Sequence, residues 1–367
     1  MNYNDRLRQA VLDKTSATNA TFVQHADIEQ FSHMLDDGLL LVDVNQTIIF
    51  ANAMAAKLFG KGLVNRQLSD VLKDIALDDI FENIQTQKRV YEFAYTYQKA
   101  VTRQFRIKMT PINYGDMGNA QIGVLIMDMT LQRNLDKVRR DFVANVSHEL
   151  RSPLTSLIGF IETMTDTPDI DEDTRAHFLS IMDDESKRMT RLIDDLISLS
   201  RVEVDEHIQP DERVNLDAVM QSVIANLKDR AHKQDRTISY CNHSPDSLPI
   251  IQGDTDEITE VFHNLIENAL KYGFAGTDIA VELSQGDDGK FLCTISNIGE
   301  GIEERHIPRL TERFYRVDKA RSRQKGGTGL GLAIVKHIIN RHRGEMVITS
   351  QLGQTTTFAI YLPPLVG

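Results

Sequence analysis

The 367-residue chain has only two cysteines, Cys241 and Cys293. They are too few for a disulfide framework and lack the paired spacing of a metal site, which fits a reducing compartment. No run of 18 apolar residues occurs. The most apolar stretch, AQIGVLIMDM at 120–129, is strand length and carries an acid, so no transmembrane helix is expected. The N-terminal MNYNDRLRQAVLDKTSATNA lacks the apolar centre of a signal sequence. The expectation is a cytoplasmic chain, either soluble in itself or the cytosolic part of a membrane sensor. Positive charge is also short: 41 Lys and Arg against 53 Asp and Glu leave a formal charge of -12. That balance disfavours nucleic acid and anionic lipid as partners. There is no internal repeat and no low-complexity tract. What is present, 41% hydrophobic and 26% charged residues, is ordinary globular composition in a length suited to two or three domains.

Four segments follow from patterning. Residues 1–32 read as a polar, helical lead. Residues 33–130 read as a small α/β module. In it GLLLVDVNQTIIFAN gives two short strands around an Asn-Gln turn, and AMAAKLFG gives a helix stopped by Gly60. RVYEFAYTYQ, TRQFRIKMTPI and QIGVLIMDMT supply three further strands. In 131–207, Leu135, Val138, Phe142, Val146, Leu150, Leu154, Leu157, Ile161 and Met164 recur at the period of one helix face. TDTPDIDEDT interrupts that helix, and a second follows with Phe178, Met182, Met189, Leu192, Leu196 and Leu199 as its stripe. The pair predicts a helical hairpin whose long apolar stripes call for a second copy, completing a four-helix bundle. Residues 208–367 mix five strand-like runs with helices near 216–232, 255–271 and 329–342. That pattern is an α/β sandwich, helices against one sheet.

Chemistry concentrates in two places. In FVANVSHELRSPLTSLIGF, residues 142–160, His148 lies two residues from the stripe position Val146. That is about 200° round the helix, so it faces outward. Position alone decides little, since a helix histidine is commonly structural or solvated. Two neighbours raise its interest. Glu149 can hydrogen-bond one ring nitrogen and sharpen the other. Pro153 removes the backbone donor to Glu149 and should bend the helix there.

In the last third, HNLIENALKY sets Asn264 and Asn268 four apart on one helix face, with Lys271 one turn on. A carboxamide oxygen suits Mg²⁺ and a lysine suits a phosphate, although such a pair is also a common cap or surface feature. SNIGEGI at 296–302 is a strand ending in a glycine turn. GGTGLGLAIVK at 326–336 is a glycine loop opening a helix, where backbone N–H groups and the helix terminus favour anions. It is neither a P-loop nor a dinucleotide fingerprint. Between them RVDKARSRQK, 316–325, reads as a basic, phosphate-attracting lid or as a solvated loop.

Taken in order, SHELRSPL with His148, the asparagine helix, SNIGEGI, TERFYRVD and GGTGLGLAIVK resemble the H, N, G1, F and G2 boxes of sensor histidine kinases over residues 131–363. DFVANVSHELR and ERFYRVDKARSRQ are most similar to the phosphate-regulon sensor kinases, and DDGLLLVDVNQTIIFANAMAAKLFG resembles a PAS sensor domain. The fold this implies is multidomain: a PAS-like module, a dimeric phosphoacceptor hairpin and a GHKL-type ATP-binding sandwich.

The resemblance further implies an ATP-dependent protein-histidine kinase that phosphorylates His148 and passes the phosphoryl group to an aspartate of a separate response regulator. Glu149 matches the activating acid. Asn268 matches the Mg²⁺ ligand, and Asn264, Lys271 and Tyr272 line the nucleotide site. Gly299 and Gly301 flank the adenine pocket, while Gly327, Gly329 and Gly331 approach the phosphates. Arg316, Thr328 and Leu330 complete the set. Two positions depart from the family. Asn297 replaces the usual adenine-binding aspartate, which predicts weaker ATP binding by about 1 kcal/mol. Ser152 stands where threonine or asparagine is usual and keeps the hydroxyl, so regulator phosphatase activity is still expected.

Two other readings stand beside this one. The C-terminal motifs alone would serve a serine kinase or an ATPase of the same fold, although neither needs His148. A dimeric pseudokinase scaffold is the non-enzymatic alternative. The 33–130 module has no histidine between His33 and His148 and no cysteine. This argues against histidine-ligated haem and against thiol-linked flavin or chromophore chemistry there. The linker LQRNLDKVRR would join this module to the His148 helix and suits a signal carried as helix rotation.

Overall fold

The computed structural model describes residues 35–87, 89–98, 102–112, 121–167, 169–243, 248–318 and 327–365. The expected helical lead at 1–32 and most of the basic lid at 316–325 lie outside them. The chain divides into two compact units, residues 1–141 and 142–367.

In the first unit, β1 (Gly38–Val42) and β2 (Ile48–Ala51) form the hairpin expected around the Asn-Gln turn. Gln46 takes a positive φ of 63°, and the Asp43 carboxylate accepts from Asn45 N–H and Thr47 N–H. Helix α1 (Ala53–Phe59) starts at Asn52, whose Oδ1 accepts from Ala55 N–H at 2.8 Å and from Leu39 N–H at 2.9 Å. That side chain therefore fixes helix and strand together. Helices α2 (Leu68–Val71) and α3 (Leu77–Gln87) were not anticipated from the pattern. Strands β3 (Tyr91–Tyr97), β4 (Arg103–Ile112) and β5 (Gln121–Asp128) complete an antiparallel sheet of order β2-β1-β5-β4-β3. Phe105, Ile107 and Met109 alternate inward on β4, the period-two burial of a half-covered strand.

Helices α4 (Thr130–Asp166) and α5 (Glu172–Asp205) form the predicted hairpin, with a tighter connection than the interrupted pattern suggested. Asp171 caps α5, accepting from Thr174 N–H at 2.9 Å and Thr174 Oγ1 at 2.7 Å. α4 runs on through a buried Pro153.

In the remainder, β6 (Glu212–Asn215), α6 (Leu216–Lys233), β7 (Ile238–Asn242), β8 (Ile250–Gly253), α7 (Thr255–Tyr272), β9 (Ile279–Gln285), β10 (Phe291–Ile298), α8 (Gly331–Arg341), β11 (Glu345–Ser350) and β12 (Thr355–Leu362) follow in turn. The main sheet has order β11-β12-β10-β9-β7, antiparallel except for β7 beside β9. The short pair β6 and β8 was not foreseen. One apolar core holds α6, α7 and α8 against the sheet, with Val223, Phe262, Leu265, Ile295, Ile334 and Ile338 sealed inside. At about 1.5–3 kcal/mol per fully buried aliphatic or aromatic side chain, this layer dominates the stability of the region.

Candidate active site

Helix α7 carries the division between core and site. Ile258, Val261, Phe262, Leu265, Ile266, Ala269 and Leu270 occupy its buried face. Asn264, Glu267, Asn268 and Lys271 occupy the other, lining a cavity of about 510 Å³. Asp254 caps its N-terminus through bonds from Asp256 N–H and Glu257 N–H. At its C-terminus the Arg236 guanidinium donates to the carbonyls of Leu270 and Gly273, and Gly273 bridges to Gly299. The end of α7 and the glycine turn after β10 are thereby tied into one wall.

The cavity gathers nearly all the residues singled out in the C-terminal boxes: Asn264, Asn268, Lys271, Tyr272, Asn297, Gly299, Gly301, Arg316, Gly327, Thr328, Gly329 and Gly331. Leu330 is not brought there. Its side chain is fully buried in the core, and it anchors the glycine loop instead. Two glycines are demanded by space. Gly301 has φ +75°, and a Cβ there would collide with the Gln351 carbonyl. A Cβ on Gly331 would lie 2.7 Å from Asn264 Oδ1, so a larger residue there would push the Asn264 carboxamide out of its place in the cavity.

Charge in the cavity is mixed. Glu267 pairs with Arg230 at 2.7 Å and with Lys271 at 3.3 Å. Burial alone would raise its pKa, but the two cations hold it below the usual carboxylate range. Glu260 and Asp195, also lining the cavity, are pushed up by burial. Asn297 is buried on β10 and its carboxamide has no hydrogen-bond partner among the described residues. Carboxamide oxygens, a lysine and a glycine-rich loop leading into a helix make a donor set that fits a nucleotide with a hard divalent ion.

His148 stands on α4 fully in solvent-facing position, with no hydrogen-bond partner among the described residues. Ser152 is exposed one turn on. Glu149 departs from the expectation of a bond to the imidazole. Adjacent helix residues diverge by about 100°, and the carboxylate turns inward to Arg188 Nη2 at 2.7 Å and Arg316 Nη2 at 3.3 Å. Further contacts join the hairpin to the α/β layer. Thr328 Oγ1 donates to Asp195 Oδ2 at 2.5 Å, Ser198 Oγ to Glu260 at 2.8 Å, and the Phe142 and Phe314 rings lie 6.0 Å apart. Arg188, Arg191 and Asp195 were missed in the sequence, because nothing in the spacing of α5 marks a residue that meets another layer. Glu267 could have been found, since it lies between Asn264 and Lys271 on the same helix face.

Family models match three stretches. Residues 253–366 match the histidine kinase-, DNA gyrase B-, and HSP90-like ATPase family, residues 138–204 the His Kinase A (phospho-acceptor) domain, and residues 27–94 a PAS domain. The phosphate regulon sensor protein PhoR of Pseudomonas aeruginosa is 31% identical over 342 residues, covering 92% of this chain and 74% of its own. This chain belongs to the PAS-containing sensor histidine kinases.

The kinase is also 33% identical to the sensor protein SrrB of Staphylococcus aureus over 341 residues, 89% of this chain but 54% of that one. It therefore spans about half the length of that relative. Among solved structures, the Acinetobacter baumannii histidine kinase AdeS is similar at 25% identity and a TM-score of 0.46, over 59% of this chain and 97% of that one. The histidine kinase ThkA in complex with response regulator TrrA is similar at 20% identity and a TM-score of 0.48, over 90% and 97%. Membership assigns ATP binding to the C-terminal layer of the kinase. Among the described residues no helix is long and apolar enough to cross a membrane.

Proposed function

We propose that the kinase phosphorylates His148 from ATP held in the α7–α8 cavity and passes the phosphoryl group to an aspartate of a separate response regulator. The observation that carries this reading is the pairing of an unpartnered, exposed imidazole on α4 with a phosphate-suited cavity in the same unit of the molecule. A ring nitrogen of His148 forms the new bond to phosphorus, the bond from phosphorus to the ADP oxygen breaks, and the imidazole gives up its proton. Glu149 is the nearest acid in sequence for that proton, and it becomes available only after leaving Arg188 and Arg316. Asn268, with Asn264 beside it, would hold Mg²⁺, which when bound neutralises charge on the transferring phosphoryl group. Lys271, Arg316 and the loop at Gly327, Thr328, Gly329 and Gly331 orient the phosphates. Tyr272, Gly299 and Gly301 line the base end, where Asn297 offers a neutral acceptor. Ser152, exposed one turn from His148, would orient water for the reverse reaction on the phosphorylated regulator.

The proposal includes domain limits of 33–130, 131–207 and 208–367, with the hairpin pairing to a second copy. Support for that pairing lies in exposed Leu135, Val138, Leu154 and Ile161 along α4 and Ile193 and Ile197 along α5. The deciding experiment is incubation of the full chain with γ-labelled ATP and magnesium. Label that is lost in acid and absent from His148→Ala is expected, with transfer to a receiver protein from the same genome. Acid-stable label, or label that survives the substitution, would reject histidine phosphorylation.

A further inference from the structure

We infer that Asp195, on the hairpin helix α5, is a positioning residue that sets nucleotide affinity by holding the glycine loop through Thr328, so that hairpin docking and nucleotide binding oppose one another. The inference rests on the nucleotide reading of the cavity. Thr328 lies between Gly327 and Gly329, the part of the loop that would have to close on phosphates. Its hydroxyl donates to Asp195 Oδ2 at 2.5 Å and accepts from Leu330 N–H at 3.3 Å. Its carbonyl accepts from Arg316 Nη2 at 2.7 Å. Side chain and backbone of Thr328 are thus held by groups belonging to the docked arrangement.

Charge points the same way. Arg230 and Lys271, two of the cations lining the cavity, are engaged by Glu267, and Arg316 is engaged by Glu149. Asp195 has no ion pair among the described residues and lies on the cavity wall, partly removed from water. A polyphosphate entering there meets the Asp195 carboxylate, which Lys271 and Thr328 compensate only in part, and must also take Thr328 away from it. Ser198, one turn further along α5, anchors to Glu260 of α7 at 2.8 Å. Asp195 is therefore held at the cavity mouth as long as the hairpin stays docked.

The test is equilibrium binding of ATP, ADP and adenosine to the full chain and to Asp195→Asn and Asp195→Ala. Asn keeps an acceptor for Thr328 without the charge, whereas Ala removes both. ATP should bind about tenfold tighter to the Ala variant, with the Asn variant between it and the unaltered chain. ADP should follow ATP, and adenosine, which lacks phosphates, should not change. The ATP gain in Asn should also shrink at high salt, a dependence that a purely steric role would not produce. ATP affinity unchanged or weakened in both variants, or an equal gain for adenosine, overturns the inference. If the unaltered chain binds no ATP, the nucleotide reading itself fails. If it binds ATP and both substitutions are silent, only the role of Asp195 is lost.

Discussion

Helices α4 and α7 are both amphipathic, yet they differ sharply in what their apolar faces touch. The 18 residues of α7 bury eight side chains, among them Phe262, Leu265 and Ile266. The 37 residues of α4 bury one, Pro153, and leave Leu154 49% and Ile161 50% exposed. The α/β layer closes its own core, because a sheet and three helices present their apolar faces to each other within one chain. The hairpin is covered only in part: Leu192, Leu199 and Val202 of α5 pack into the core of the α/β layer, while Leu135, Val138, Leu154 and Ile161 of the α4 stripe stay exposed. Periodicity shows that a face is apolar, but not which chain supplies the cover.

The largest expected effect lies on the self-sufficient side. Phe262→Ala should cost the ATP-binding layer about 3–5 kcal/mol, enough to remove its calorimetric unfolding transition at ordinary growth temperatures. A transition shifted by only a degree or two would show that the core is less continuous than described. Next in size is Ile161→Asp. In the seam proposed between copies, it should cost about 1.5–3 kcal/mol per chain and move the light-scattering mass from the proposed dimer toward monomer. The transition of the α/β layer should stay where it was. An unchanged dimer would put the seam elsewhere.

The smallest effect is on the pH dependence of the α/β layer. His342 is fully buried, with Nδ1–H donating to the Ile338 carbonyl and Nε2 accepting from Asp254 N–H. Burial holds its pKa below the ordinary histidine value, so the neutral form is the folded one. The unfolded chain therefore binds the proton more readily. Stability from this group is present above about pH 6.5 and is lost as pH falls through that value. Urea midpoints at pH 8 and pH 5.5 should show the drop in the unaltered chain and a smaller one in His342→Gln. Equal drops in both proteins would assign the acid sensitivity to other groups.

Much of this contrast was legible in the sequence. Strands β3, β4, β5, β9, β10 and β12 were marked by β-branched and aromatic runs between turn residues, and α4 and α5 by their stripes. Helices α2 and α3 went unread in a segment where short elements crowd among polar residues. Strands β6 and β8 went unread because each has four residues and its partner lies more than thirty positions away. The cavity proposed to hold the nucleotide was legible because its asparagine and glycine motifs occur together and in order, although each alone is a common feature. The docking contacts were not. Glu149 was legible as an acid beside His148, but its choice of Arg188 and Arg316 depends on tertiary placement. Asp195, among the acidic residues of α5, had nothing local to distinguish it.

The bridge between Gly273 and Gly299 has a consequence for the chain between them. Phe274 N–H bonds to the Ile298 carbonyl at 2.8 Å beside the Gly273–Gly299 bridge, so residues 274–298 form a ring pinned at its neck. The far end of the ring is the Gly286–Gly289 turn between β9 and β10. A change of length there is absorbed without moving the neck, because the paired strands between hold their register. That turn is the natural place to splice in an epitope or a fluorescent reporter while the cavity stays built.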